Sequence, residues 1–101
     1  MFHEKNKNPL IIIVRDDLEG GLAMAQACHA AYEFGKTHPG VETNGFLYVI
    51  KAPKGRLEFI LKKLTFEMCP CVAFREPDMN DDMTALGCSV KPNMVKQLQK
   101  Y

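Results

Sequence analysis

The chain has 101 residues, a formal net charge of +1, and an ordinary globular composition with 47% hydrophobic and 25% charged residues. This length predicts one domain over residues 1–101. The near-neutral charge excludes a uniformly cationic protein, so any contact with nucleic acid must come from a local patch. The longest apolar run, Leu10–Val14, is too short to span a membrane, and residues 1–8 form a polar segment without a secretory signal. We therefore expect a flexible arm over 1–8, a cytoplasmic location and no membrane contact.

Strands and helices alternate along the chain. The run Leu10–Val14 predicts a central strand covered on both faces. The segment Leu22–Phe34 predicts a helix buried around most of its circumference and closed by Gly35 and then by Pro39-Gly40. The later elements are predicted as a strand at Phe46–Ile50, a turn at 52–55, a helix at Arg56–Leu64, a strand at Cys71–Phe74, a polar turn near Pro77, a strand at Thr84–Val90 with Gly87 as a bulge, and a helix from Pro92 to about Tyr101.

The order β-α-β-α-β-β-α predicts a three-layer α/β/α fold around a four-stranded mixed sheet. A short polar loop joins the last two strands, so they are expected either to form an antiparallel hairpin or to pair elsewhere in the sheet. The sequence leaves this choice open.

The four cysteines are expected to be reduced thiols in the core. Cys69 and Cys71 have C-x-C spacing, and no second pair completes a zinc site. No metal and no cofactor is therefore expected. Thiol chemistry at these two cysteines stands as a competing enzyme class, and it predicts rapid alkylation of one of them at neutral pH.

Polar residues are sparse on the first predicted helix. Gln26, His29 and Glu33 fall within about 60° of each other on the helical wheel, in a narrow stripe. The stripe is either the solvent face of the helix or a functional Gln26–His29 pair.

A second polar cluster, Arg15-Asp16-Asp17, ends the first strand. Ligands commonly bind at the carboxyl edge of such strands, but a helix cap with local salt bridges explains the same residues. Gly20 and Gly21 can either present backbone N–H groups to a phosphate or form a tight turn.

Two segments of this region resemble a known family. Ile11–Leu18, with the sequence IIIVRDDL, and Ala25–Ala31, with the sequence AQACHAA, are similar to the opening of type-2 peptidyl-tRNA hydrolases. The short run from the second segment to His38-Pro39 resembles the divergent peptidyl-tRNA hydrolase domain-containing branch. Looser similarity continues through Ile50–Pro53, Phe74–Pro77, Thr84–Gly87 and the helix at Pro92, so the resemblance spans nearly the whole chain, and its first half is the specific part.

The resemblance implies an α/β protein that hydrolyses the ester between a peptide and the terminal ribose of tRNA. It implies Asp17, Gln26, His29 and Thr84 as catalytic positions, with Gln26 orienting water or the carbonyl and Asp17 or His29 accepting a proton. Arg15, Gly20, Gly21, Glu76 and Asp78 are the expected substrate-binding residues. The implied partners are peptidyl-tRNA or tRNA, with a possible homodimer, and no cofactor is implied.

The sequence departs from the family pattern at charged positions. The family has a lysine four residues before the motif glutamine, and Leu22 stands there. The aspartate expected after the third strand is displaced, with Glu76 or Asp78 as the nearest substitutes, and Arg15 is a candidate replacement for the cation. The alternatives to an esterase are a non-catalytic tRNA-binding module of the same fold and a protein-interaction domain without an RNA role.

Overall fold

The computed structural model describes residues 7–100. Its elements follow the predicted order: β1 (Asn8–Arg15), α1 (Gly20–Thr37), β2 (Thr43–Ala52), α2 (Lys54–Phe66), β3 (Cys71–Glu76), a 3-10 turn (Pro77–Met79), β4 (Asp82–Ser89) and α3 (Pro92–Lys100). Residues 1–6 of the predicted arm, and Tyr101 at the predicted end of the last helix, lie outside the described residues. Asn8, which was assigned to the arm, is the first residue of β1.

The sheet is mixed, with strand order β2-β1-β4-β3. β1 runs parallel to β2 and antiparallel to β4, and β4 is also antiparallel to β3. The last two strands therefore form the hairpin that was one of the two options, and β4 in addition pairs with β1. The predicted α/β fold with a four-stranded mixed sheet is confirmed.

β1 is buried on both faces, as its continuous apolar run predicts. Ile11 and Ile13 belong to the core cluster formed with α2 and Leu98 of α3. Ile12 and Val14 belong to the cluster on the opposite face, which includes Ala30 of α1. Helices thus cover the sheet on both sides, in three layers.

The helix boundaries differ from the predicted ones. α1 passes through Gly35 and ends just before Pro39, because an isolated glycine weakens a helix without breaking it, whereas proline cannot continue one. Pro53 is the N-cap of α2, so one residue replaces the predicted turn at 52–55. No helix within residues 7–100 is long and apolar enough to cross a membrane.

The expectation that α1 is buried around most of its circumference is wrong. Its buried residues are Gln26, Ala30 and Phe34, whereas Met24 and Tyr32 are 68% and 67% exposed. α1 packs on β1, β4 and β3. One helix is about 10 Å wide and strands are spaced about 4.8 Å apart, so a single helix cannot cover all four strands. On this face β2 is left exposed.

Gly87 is not a bulge; it pairs regularly with Ile12 and Val72. A Cβ at this position would lie 3.2 Å from the carbonyl oxygen of Ala30 and 3.3 Å from Cβ of Phe34. Glycine is therefore needed here because α1 passes close to the backbone of β4.

Gly87→Val should lower the free energy of unfolding by about 2 kcal/mol, because the side chain must push α1 away from the sheet. Gly35→Ala is the matched control, since a Cβ at that helical position meets nothing within 4 Å. It should raise stability by about 0.5–1 kcal/mol through its helical propensity. Urea denaturation followed by circular dichroism measures both changes, and equal stability of the two variants would contradict the close approach of α1.

Candidate functional site

A bulge in β4 turns Thr84 towards α1. Phe74 and Arg75 of β3 pair with Ala85 and Met83, so Thr84 is one extra residue on β4. Met83 belongs to the core beneath α2, whereas Ala85 belongs to the core beneath α1. Regular alternation would put those two side chains on one face and Thr84 on the other. The extra residue breaks the alternation, as bulges near functional sites commonly do.

Thr84, Gln26 and Glu76 form a chain of hydrogen bonds between three elements, which we call the Thr84–Gln26–Glu76 chain. The buried Thr84 hydroxyl donates to Gln26 Oε1 at 2.7 Å. The Gln26 amide Nε2 donates to Glu76 Oε2 at 3.0 Å. Glu76 Oε1 in turn accepts a longer bond, 3.4 Å, from the backbone N–H of Asp78. The only member of the chain that is not buried is the half-buried Glu76.

Gln26 is therefore in the interior, although it was predicted on a polar stripe that was either solvent-facing or functional. Its side chain is buried against β4, and each end of its amide has a partner. An amide held at both ends cannot rotate freely, so it fixes the position of the Glu76 carboxylate. Gln26 thus orients a neighbouring carboxylate.

His29 lies one helical turn after Gln26 and is exposed. Its imidazole ring stacks on Phe74, with ring centroids 4.7 Å apart and an angle of 4° between the planes. It is a flat surface beside the Thr84–Gln26–Glu76 chain. The predicted stripe is split, because Gln26 faces the core and His29 faces outward.

Arg15 and Asp17 form a second cluster at the end of β1. The guanidinium of the buried Arg15 holds both carboxylate oxygens of Asp17, at 2.7 and 3.0 Å. Its Nη1 lies 3.8 Å from the Asp82 carboxylate, beyond hydrogen-bonding distance, and Asp82 binds the ammonium of Lys54 at 3.0 Å. Arg15 Nη1 is buried without a hydrogen-bond partner. Arg15 is thus positioned beneath Asp17 rather than open to a ligand.

The ion pair sets the protonation of Asp17. The hydrogen bond from Arg15 lowers the pKa of Asp17 below its ordinary value of 3.8. A carboxylate with a lowered pKa is a weak proton acceptor at neutral pH. The geometry therefore favours Asp17 as a fixed negative charge over Asp17 as a general base.

Both clusters lie at one edge of the sheet. Arg15 ends β1, Glu76 ends β3, and Glu76 pairs in register with Asp82 at the start of β4. Gly20 and Gly21 open α1, where the N-cap residue Glu19 makes no side-chain hydrogen bond to the first turn. The predicted site residues therefore fall into two groups, one around Gln26 and one around Arg15.

Sequence reasoning missed Asp82, Lys54 and Phe74. Asp82 and Lys54 are charged residues in segments predicted as turns, and only the tertiary structure brings Asp82 to Arg15 and Lys54 to Asp82. Phe74 was assigned to a strand, but its stacking on His29 depends on the placement of α1 over β3. Asp78 contributes its backbone N–H, not its side chain, to the hydrogen bond with Glu76.

Two of the four cysteines, Cys69 and Cys88, are poorly suited to thiol chemistry. Cys88 is in the core, where burial raises its pKa to about 12. Burial, followed by the nearby Glu67 and Cys71, raises the pKa of Cys69, so its reactive thiolate is less populated at neutral pH. Cys28 is exposed, contrary to the expected core position. Within residues 7–100 no group of three or more ligating side chains is placed to hold a metal ion.

Comparison with protein-family models found no match, and no curated protein is similar enough in sequence to count as a relative.

Replacement of Thr84 tests the Thr84–Gln26–Glu76 chain. Thr84→Val keeps the shape but leaves Gln26 Oε1 buried without a donor, which should cost about 1–3 kcal/mol of unfolding free energy. Thr84→Ser retains the hydroxyl and should lose about 1 kcal/mol, the contribution of one buried methyl group. Denaturation curves of the two variants measure the difference. A valine variant as stable as wild type would show that the hydroxyl contributes no net stability.

Replacement of Asp17 tests the ion pair through its pH dependence. The folded-state pKa of Asp17 is lowered, so its contribution is complete above pH 3.8 and is lost as the pH falls through the folded-state value. Asp17→Asn should therefore be less stable than wild type at pH 7, and the gap should narrow below pH 3.8. Urea denaturation at pH 7 and pH 3 measures both gaps. Asp16→Asn, at the exposed neighbouring carboxylate, should change stability by less than about 0.5 kcal/mol at either pH.

Proposed function

We propose that this protein is a peptidyl-tRNA hydrolase-like esterase that cleaves the ester joining a peptide or an N-blocked amino acid to tRNA in the cytoplasm. The observation that carries the proposal is the Thr84–Gln26–Glu76 chain. It unites Gln26 and Thr84, which match family positions by resemblance, with a carboxylate at a ligand-binding edge of the sheet.

Glu76 is the general base in this proposal. Ester hydrolysis requires a positioned group that takes a proton from the attacking water. Glu76 is half-buried, and it is fixed by Gln26 on one oxygen and by the Asp78 N–H on the other. It takes the place of the family aspartate, whereas Asp78 supports it through the backbone. Gln26 and Thr84 are positioning residues, since both are buried behind Glu76.

The remaining site residues contact the substrate in this proposal. His29 offers a flat, exposed surface on which a nucleobase at the end of tRNA can stack. The backbone N–H groups of Gly20 and Gly21, at the start of α1, are donors for a phosphate or for the developing oxyanion. Asp17, held by Arg15, is a fixed anion. It orients the substrate by accepting hydrogen bonds from hydroxyl groups of the substrate.

The position of the family lysine supports a second candidate function, a non-catalytic tRNA-binding module. Leu22 is 43% exposed on the first turn of α1 and carries no charge. Arg15 is a poor replacement, because its guanidinium is buried and engaged by Asp17. Losing a preorganised donor for the oxyanion typically costs about 3 kcal/mol of transition-state stabilisation. A slow enzyme and a pure binder are therefore the two outcomes to separate.

Hydrolysis of purified N-acetyl-aminoacyl-tRNA separates them. Under the esterase proposal, wild type turns over and Glu76→Gln lowers kcat/KM by about 10²–10⁴-fold while the fold is retained, because the amide cannot accept the proton. Glu58→Gln is the matched control, since Glu58 is an exposed carboxylate on α2 paired with Arg75, and it should retain wild-type activity. Leu22→Lys should raise kcat by about tenfold or more, because it restores a cation at the family position. Ala25→Lys, about one helical turn further along α1, should not raise it.

Binding of the same tRNA, measured against salt concentration, decides the alternatives. Wild-type protein that binds with salt-dependent affinity and shows no turnover fits the binding module. Wild-type protein that neither binds nor hydrolyses the tRNA rejects both RNA functions. If wild type is active and Glu76→Gln has the same activity, Glu76 is not the general base.

A further inference from the structure

Three of the four cysteines lie together on the α2 side of the sheet. Cys88 is fully buried in the core cluster beneath α2, and Cys69 and Cys71 pack against that cluster. Cys28 is on α1, which covers the opposite face of the sheet. None of the three takes part in the Thr84–Gln26–Glu76 chain, so their grouping needs an explanation separate from the proposed hydrolysis.

Cys71 and Cys88 face each other where β3 pairs with β4. They are partners in the strand register, and both side chains contact the core on the same face of the sheet. The backbone N–H of Ser89 donates a hydrogen bond to the carbonyl oxygen of Pro70 at 3.1 Å. This bond joins the residue after Cys88 to the residue before Cys71, so the two cysteines form a non-hydrogen-bonded pair.

A non-hydrogen-bonded pair is the closest arrangement of opposite residues in an antiparallel sheet. Its Cα atoms are about 4.5 Å apart, compared with about 5.5 Å in a hydrogen-bonded pair. Disulfides join residues whose Cα atoms are about 4.4–6.8 Å apart. The spacing of Cys71 and Cys88 therefore allows a disulfide between them while β3 stays paired with β4.

Of these two thiols, Cys71 is the one that a small molecule can reach. Cys71 is half-buried and lines a surface depression of about 540 Å³, together with His38 and Thr65. This volume is in the range of small-molecule sites. The His38 ring donates a hydrogen bond from Nε2 to the Cys71 carbonyl oxygen at 2.9 Å, which fixes the start of β3 beside the depression.

We propose that Cys71 and Cys88 form a reversible disulfide by exchange with a small disulfide such as oxidised glutathione. The Cys71 thiolate attacks one sulfur of the oxidant, forms a mixed disulfide and releases one glutathione thiolate. The Cys88 thiol then attacks the Cys71 sulfur, and its proton leaves with the second glutathione as a thiol. Two cysteine thiols are thereby oxidised, and one oxidised glutathione is reduced to two glutathione molecules.

The environments of the three thiols support this order of steps. Burial, followed by the nearby Cys71 and Cys69, raises the pKa of Cys88 to about 12, so Cys88 is unsuited to the first attack. It is suited to the second, because its position directly opposite Cys71 replaces a high thiolate population. Burial also raises the pKa of Cys69, which precedes the first paired residue of β3.

The disulfide fastens the edge strand that carries Glu76. Within the described sheet β3 is the outermost strand on its side and pairs with β4 alone. Glu76 is at the other end of β3, five residues and about 17 Å from Cys71. The cross-link therefore limits opening of β3 without contacting Glu76. In a reducing compartment it forms under oxidising conditions and is removed again by thiols.

Peptide mapping by mass spectrometry after treatment with oxidised glutathione tests the pairing. The folded wild-type chain should yield a peptide pair joined through residues 71 and 88, and dithiothreitol should restore both thiols. Cys88→Ala should stop at a mixed disulfide on Cys71, because the second thiol is missing. Cys71→Ser should form no disulfide within the chain. Cys69→Ser is the matched control, since it removes a neighbouring thiol but leaves the pair intact, and it should form the wild-type disulfide.

Cys28 shows whether the oxidant has acted. It is exposed on α1 and should carry a mixed disulfide in every variant. A disulfide between Cys69 and Cys71 in wild type would overturn the proposal. It would also be overturned if Cys28 reacts and no disulfide forms within the chain, or if Cys71 stays unmodified in Cys88→Ala.

Hydrogen exchange tests the effect on β3. The hydrogen-bonded amides of β3 should exchange at least about tenfold more slowly in the oxidised chain, because the cross-link suppresses local opening of an edge strand. The amides of β2, at the other edge of the sheet, are the internal control and should be unchanged. Equal exchange of β3 in the two states would overturn the fastening of this strand. None of these measurements uses RNA or ester hydrolysis, so their outcome is independent of the proposed function.

Discussion

Burial of both faces of β1 is the constraint on which the rest of the structure depends. Its apolar residues alternate between two core clusters, so a helical layer is required on each side of the sheet. β1 therefore takes an interior position, between β2 and β4. That position brings Arg15, at the end of β1, beside Asp82 at the start of β4, and so creates one of the two polar clusters.

The second cluster depends on one extra residue in β4. Without the bulge, Thr84 would face the core beneath α2, and Gln26 would be buried beneath α1 without a donor for its oxygen. With it, the interior holds a polar chain in which each buried atom is paired, and the chain ends on the half-buried Glu76. In the proposed esterase this division would suit the chemistry, because buried partners fix the geometry while the Glu76 carboxylate stays accessible.

The unequal cover of the two faces of the sheet explains the exposed edge. α1 alone covers one face and lies over β1, β4 and β3, whereas α2 and α3 share the other. β2 consequently has no helix above Leu47 and Val49. The polar site lies where β1 and β3 end and β4 begins, whereas the apolar surface runs along β2.

The sequence by itself determined the order of the elements and the α/β class, because hydrophobic periodicity and the positions of glycine and proline are local signals. It also determined that β1 is an interior strand, since Leu10–Val14 is apolar at every position. It indicated Gln26 and Thr84 through resemblance, but not their hydrogen bond.

Only the tertiary structure decided how those residues are used. The bulge was expected at Gly87, where the local signal was a glycine, and it lies at Thr84, where the register between β3 and β4 shifts. The interior position of Gln26 and the exposure of Met24 follow from where α1 rests on the sheet. Helical periodicity describes one face of a helix but not which strands lie beneath it, and pairing register is a contact between distant residues that no local pattern contains.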